Sequence, residues 1–401
     1  MKTLKVFSIM SLWVVLFVHN NLQAAVWKTE NQWNAEAEEE FAEWVEDDWT
    51  LDILTNPKSP YSKLKVDCAD AVYTMRILYA FENALPFAMK DPTGGSNLIS
   101  NEMSRFDHLA KYDRLKAFLK YVYDMGSTAT LEYDTYSIPL NKKSVRSGAL
   151  ILEREKRHTY TIKKIEDSGQ PLLYFSSLGN PGSMLVRKSW PQVDWIFPSG
   201  MTSPNGLRWF RQPADLKKPE WKITGYSDEQ FKISKSVWLQ TLIDRLKSED
   251  ESAEDRQTRL FDDLCAAAQF RITVVSEAIA RVQSEGGSCL DAYWYDILST
   301  PSRDRRLSDE FNILKKEFEA AKNKDDDSYE LMAAVFLKND KESDLLKACP
   351  IEYRLNKPIS LSTLLVRMNK NLLSTNPNDS IEYRWGEKSG PSDRSKKCPK
   401  Y

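Results

Sequence analysis

The periodicity of apolar residues changes twice along this chain, near residue 128 and again beyond residue 227, and these changes constrain the fold more than any other feature. In the acidic segment 36–49, Phe41, Trp44, Val45 and Trp49 share a helical face. The breaker Asn56-Pro57-Lys58-Ser59-Pro60 follows, then an amphipathic helix expected over 67–83, ahead of Pro86, and another over 104–123. From Thr128 the pattern becomes short β-branched or aromatic runs, at 131–136, 149–153, 158–165 and 172–177, separated by turn residues; this predicts an antiparallel sheet. Helices followed by strands indicate an α+β domain. Residues 190–221 are rich in Pro, Gly and Trp, with little periodicity, and read as an ordered surface connection. Beyond it, Phe261, Cys265, Ala268, Ile272, Val275, Ile279 and Val282 form a helical stripe stopped by Gly286-Gly287. Further helices are expected over 308–321 and 328–338, and a polar loop from 376 onward. At 401 residues the chain exceeds one typical core. The expected division is an α+β domain with its Trp/Pro-rich connector over 26–225 and an all-α domain over 226–401.

Residues 1–25 read as a cleavable export signal: Lys2 and Lys5, an apolar run over 6–18, then Gln23-Ala24-Ala25. That run is too short for a comfortable membrane span, and no later stretch approaches the roughly 20 apolar residues a spanning helix needs. The expected location is therefore periplasmic or secreted, with no membrane span in the mature chain. A formal net charge of -2 argues against a nucleic-acid partner. The mature chain would keep His108 and His158, since His19 lies in the signal. With no Cys-x-x-Cys and no His-Glu-x-x-His, no metal site is expected. Thr93-Gly94-Gly95-Ser96 lacks the Lys and helix context of a phosphate loop, and no Gly-x-Ser-x-Gly supports a serine nucleophile, so no cofactor is expected either.

Five cysteines in an oxidising compartment leave at least one thiol unpaired. Cys265, Cys289, Cys349 and Cys398 lie in the C-terminal half and are expected to form two bridges. Cys265 with Cys289 and Cys349 with Cys398 is the parsimonious pairing, and two other connectivities stay open. Cys68 is then the free thiol, either a small buried hydrophobe or a nucleophile.

The run Lys65-Val66-Asp67-Cys68-Ala69-Asp70-Ala71-Val72-Tyr73 places Cys68 in the first turn of a helix with Asp67 as N-cap. Helix-terminal N–H groups favour a thiolate there, while Asp67 and Asp70 oppose it, so activation requires a base from elsewhere in the fold. His158, opening the strand His158-Thr159-Tyr160-Thr161-Ile162, is the candidate base. A histidine that merely lines the sheet is the alternative. His108, in a charged helical stretch, reads as a surface residue.

Asp-Cys at a helix start, a strand beginning Gly148-Ala149-Leu150, then a strand beginning at His158 resembles the NlpC-type branch of the papain-like cysteine peptidases, over about 67–177. Two positions depart from that pattern, with Ala69-Asp70 in place of Ser-Gly and Gly148-Ala149 in place of Gly-Asp. The resemblance implies an exported enzyme with its cysteine helix packed on an antiparallel sheet, cutting peptide or peptidoglycan-stem substrates. It also implies a polar residue on the strand after His158 that orients the imidazole, for which Tyr174 and Ser176 are the candidates, and a role for Tyr61 near the oxyanion site.

Two other readings remain beside a cysteine hydrolase: a transglutaminase-like acyl transferase using the same pair, and a non-catalytic envelope protein that binds a partner. Trp190, Trp195, Trp209 and Trp221, beside Arg208 and Arg211, are expected to pack between the domains, with a sugar or peptide groove as the alternative. Residues 299–306 read as a solvated loop and helix cap.

Overall fold

The computed structural model describes residues 25–62, 64–94, 97–176, 184–198, 205–322, 329–337 and 341–401; the expected export signal falls almost wholly outside them. The N-terminal part contains helices α1 (Ala35–Asp47), α2 (Cys68–Glu82), α3 (Lys111–Met125) and α4 (Thr128–Asp134). A small hairpin pairs β1 (Ala88–Lys90) with β2 (Leu98–Ser100). The main sheet is built from β3 (Thr135–Ser137), β4 (Leu150–Glu153), β5 (His158–Ile165), β6 (Pro171–Phe175), β7 (Val186–Lys188) and β8 (Gly206–Phe210). These six strands are antiparallel in the order β3-β8-β4-β5-β6-β7. The C-terminal part is helical: α5 (Lys235–Leu246), α6 (Ala253–Ser284), α7 (Ala292–Leu298), α8 (Pro301–Ala321), α9 (Tyr329–Phe336), α10 (Glu342–Ala348), α11 (Leu361–Asn369), α12 (Ile381–Arg384) and α13 (Asp393–Lys397).

The α+β architecture followed by a helical region agrees with the expectation, and α2 begins one residue after its predicted N-cap. It is not amphipathic, however. Every residue from Cys68 to Phe81 except Asp70 is buried, because α1, α3, α4 and the sheet surround it. The polar groups this encloses are paired: Arg76 forms a two-point ion pair with Glu38, at 2.8 and 2.7 Å, and the Tyr73 hydroxyl donates to Asp134 at 2.6 Å.

Two expectations fail for identifiable reasons. Residues 131–136 were expected as a strand, but Ser127 and Thr130 form a reciprocal cap that starts α4, leaving only Thr135–Ser137 for β3. The presumed connection 190–221 contains β8, which sits between β3 and β4. All five residues of β8 are buried, so the strand shows no alternation. Its Arg208, 0% exposed, donates to Thr135 Oγ1 at 2.7 Å, to Thr135 O at 2.9 Å and to Glu220 at 3.1 Å.

One apolar core joins α1, α2, α3 and the sheet, and takes in Trp238, Leu242 and Leu246 of α5. A second joins α6, α8, α9, α10 and α11 with Trp385. They meet where Val186 of β7 packs on Phe270 and Val274 of α6, beside Phe175 and Met184. Trp195 and Trp209 are buried in the first core, whereas Trp221 is exposed.

The disulfides are Cys265–Cys349 and Cys289–Cys398, not the pairing expected from sequence proximity. The stripe of α6 carries Cys265 against the end of α10 rather than toward the turn at Cys289. The tail is also more structured than a loop: Asn376, Asn378, Asp379, Arg384 and Trp385 are buried. Of residues 299–306, expected as a solvated loop and helix cap, Thr300 is the N-cap of α8 and 301–306 form its first turns. No helix among the described residues is long and apolar enough to cross a membrane.

Candidate active site

The approach to α2 is fixed at two points. Asp67 accepts from the Asp70 amide at 2.9 Å, and Asp70 in return accepts from the Asp67 amide at 3.0 Å. Ser176, just past β6, donates to Val66 O at 2.8 Å. Cys68 is thereby held as the first helical residue, 8% exposed, against the turn between β4 and β5. Its Sγ donates to Arg157 O at 3.7 Å, and Arg157 is the residue immediately before His158. Arg157 closes that turn in the left-handed conformation, φ 50° and ψ 44°.

The N–H groups of Thr159, Ala69 and Cys68 are directed at the sulfur and favour its anion. Burial and the nearby Asp67 carboxylate outweigh them and push the thiol up to about 11. Asp70 is affected by the same enclosure: burial raises its carboxyl to about 7 against the helping amide of Asp67.

His158 opens β5 opposite Glu153 of β4. Its ring meets Tyr160 edge-on at 4.4 Å between centroids and Phe175 at 5.2 Å. Among the described residues neither imidazole nitrogen has a hydrogen-bond partner. Burial, followed by Lys188, lowers its pKa to about 4, with Asp67 opposing. Burial thus drives the two groups in the same sense, the thiol up to about 11 and the imidazole down to about 4, so both favour their neutral forms. At neutral pH Cys68 is therefore a thiol and His158 a neutral imidazole.

Cross-strand register decides which residue of β6 meets His158. Thr161 lies opposite Tyr174, which puts Tyr160 opposite Phe175 and leaves Tyr174 and Ser176 on the other face. The Tyr174 hydroxyl is bound by Arg187, and Ser176 is committed to Val66 O, so neither orients the imidazole. Phe175 occupies that place. Tyr61 donates to Glu82 at the opposite end of α2 from Cys68, roughly 20 Å along a 15-residue helix. The backbone amides directed at the Cys68 sulfur are those of Cys68, Ala69 and Thr159. His108 is exposed in the turn before α3.

Sequence reasoning missed Phe175 and Lys188 as the imidazole's neighbours. It also missed α6, which passes close to the approach to α2: Lys65 lies 3.9 Å from Glu277, and Phe175 packs against the cluster formed with Phe270 and Val274. Among the described residues no group of three or more His, Cys, Asp or Glu is arranged to hold a metal ion. The chain matches no family model, no curated protein and no solved structure.

Proposed function

We propose that the protein is an extracytoplasmic cysteine hydrolase of papain-like arrangement that cleaves amide bonds, with peptidoglycan stem peptides as the substrate class the sequence resemblance implies. The observation that carries this reading is the placement of the Cys68 thiol at the first turn of α2, within hydrogen-bond reach of the residue preceding His158. Two disulfides are consistent with an oxidising compartment.

In this reading the thiol turns away from Arg157 O toward the carbonyl carbon of the bound substrate. Sulfur attacks the carbonyl carbon while its proton passes to the neutral imidazole of His158, and the developing oxyanion is held by the amides of Cys68 and Thr159. Collapse breaks the C–N bond, His158 returns the proton to the leaving amine, and water hydrolyses the thioester. Because the resting pair is neutral, proton transfer accompanies attack rather than preceding it. An amine in place of water at the last step would make the same chain an acyl transferase, so product analysis with and without added amine separates the two.

A second reading is favoured by the imidazole having no orienting partner among the described residues and packing on Phe175: a papain-like cleft that binds a peptide without cutting it. Turnover assays on muropeptides and simple dipeptide amides decide between them. The hydrolase requires activity in the wild type, none in Cys68→Ala, and a loss of at least about 100-fold in His158→Ala. A folded Cys68→Ala protein with full activity removes the hydrolase reading, and binding without turnover in the wild type supports the second.

A further inference from the structure

The helical half grips the strand that carries Lys188. Arg187 and Ser189, the residues on either side of it, both donate to the buried carboxylate of Asp263 on α6. Arg306 of α8 donates to Arg187 O at 2.5 Å, and Arg259 of α6 donates to Ser189 Oγ at 3.0 Å. Within the sheet, Lys188 pairs with Leu173 and Val186 with Phe175. The Lys188 side chain therefore shares a face with Phe175, Tyr160 and His158.

The Lys188 ammonium lies 5.0 Å from the centroid of the Phe175 ring, and the His158 ring lies 5.2 Å from the same centroid. Ammonium and imidazole are therefore no more than about 10 Å apart. Lys188 is half-buried, and among the described residues its ammonium makes no hydrogen bond or ion pair. The carboxylate whose charge reaches it is Glu153, which is bonded to Lys156 at 2.5 Å. The like charge beside it, Arg306, is turned to Arg187 O and Glu310. Burial and Arg306 hold the ammonium below the ordinary lysine pKa, a cost that an anion would relieve. The face of Phe175 answers a three-donor cation only weakly, whereas a carboxylate would form a charge-assisted hydrogen bond with it.

We propose that Lys188 is a specificity residue, selecting acidic peptides by pairing with a substrate carboxylate beside His158. The inference rests on the reading of Cys68 and His158 as a hydrolytic pair. An extended peptide advances about 3.4 Å per residue, so the recognised carboxylate falls within about three residues of the scissile amide. It belongs either to an acidic side chain or to the end of the substrate chain. The helical half takes part without touching the reacting atoms: its grip on β7 fixes where the carboxylate is held.

Steady-state assays of the full chain on matched peptides test this. One pair differs only as Glu or Gln at a side chain near the cleaved bond, the other only as free acid or amide at the C-terminus, which separates the two sources of the carboxylate. The expected result is a kcat/KM at least about 10-fold higher for the carboxylate member of one pair, carried mostly by KM. Lys188→Met removes that preference, Lys188→Arg retains it, and Lys188→Glu turns it toward an amine-bearing analogue. The ratio within a pair cancels any change that a variant makes to the imidazole. Equal turnover within both pairs by the wild type, or a preference that survives Lys188→Met, overturns the proposal; if Cys68→Ala is inactive in the same assays, the hydrolase reading still stands. No turnover of any peptide by the wild type removes the hydrolase reading and this proposal with it. Should Lys188→Met fail to fold, Lys188→Gln is read in its place.

Discussion

Raising the pH is the perturbation that most cleanly exposes the electrostatics around Cys68. A thiol held at about 11 is roughly one part in 10,000 thiolate at pH 7, whereas an unperturbed cysteine near 8.5 is about 3% ionised, some 300-fold more. Higher basicity makes the rarer thiolate more nucleophilic by about tenfold, leaving a net deficit of roughly 30-fold. In the folded wild type, iodoacetamide is therefore expected to alkylate Cys68 about 30 times more slowly than a free cysteine at pH 7. The rate should climb about tenfold per pH unit to near pH 10, and intact mass would count the single modified site. Asp67→Asn, which keeps an N-cap acceptor but removes the charge that helps raise the thiol, should shift the profile to lower pH. A rate that is already on a plateau between pH 5 and 8 would refute the reasoning, because only a thiolate–imidazolium pair behaves that way.

Other consequences can be measured on the same protein. The imidazole of His158 has a folded pKa of about 4, below its ordinary 6.5; its contribution to stability is present above 6.5 and lost as pH falls through 4. His158→Gln should flatten that window of the acid-unfolding profile, by at most about 3 kcal/mol. Ser176→Ala leaves the buried carbonyl of Val66 without its donor and should cost about 1–3 kcal/mol by urea unfolding, with a larger loss of turnover than of folding if the approach to α2 positions the nucleophile. The disulfides join residues 84 and 109 apart, and chain entropy assigns roughly 4–5 kcal/mol to each, so removing either by paired Cys→Ser substitution should lower the unfolding midpoint markedly, while Cys68→Ser should not.

Much of the site's scaffold was legible in the chain because it is encoded locally. Asp67 as a cap, Cys68 in the first turn and His158 at a strand start are decisions made within a few residues, and each stands where the pattern put it. What was illegible depends on register and long-range packing. Whether Tyr174 or Phe175 faces His158 turns on a one-residue difference in how β5 pairs with β6, which the run Leu172-Leu173-Tyr174-Phe175 does not reveal. The strand β8 was hidden because burial on both faces removes alternation, and because Arg208 disguises a core position until its partners at Thr135 and Glu220 are seen. The disulfide pairing failed for a related reason. Proximity along the chain favoured Cys289 for Cys265, but a 32-residue helix carries the two apart. Tyr61 illustrates the opposite hazard: the family resemblance implied an oxyanion role for it, and its hydroxyl is spent on Glu82.

The central claim is that Cys68 forms a covalent acyl intermediate. Acid-quenching the wild-type protein during reaction with a peptidoglycan stem peptide, followed by intact-mass and peptide mapping, tests it most directly. The account predicts an adduct with the mass of the acyl fragment on the peptide containing Cys68, discharged by hydroxylamine and absent from Cys68→Ala. Substrate turned over by wild type and Cys68→Ala alike, with no adduct on either, would contradict it.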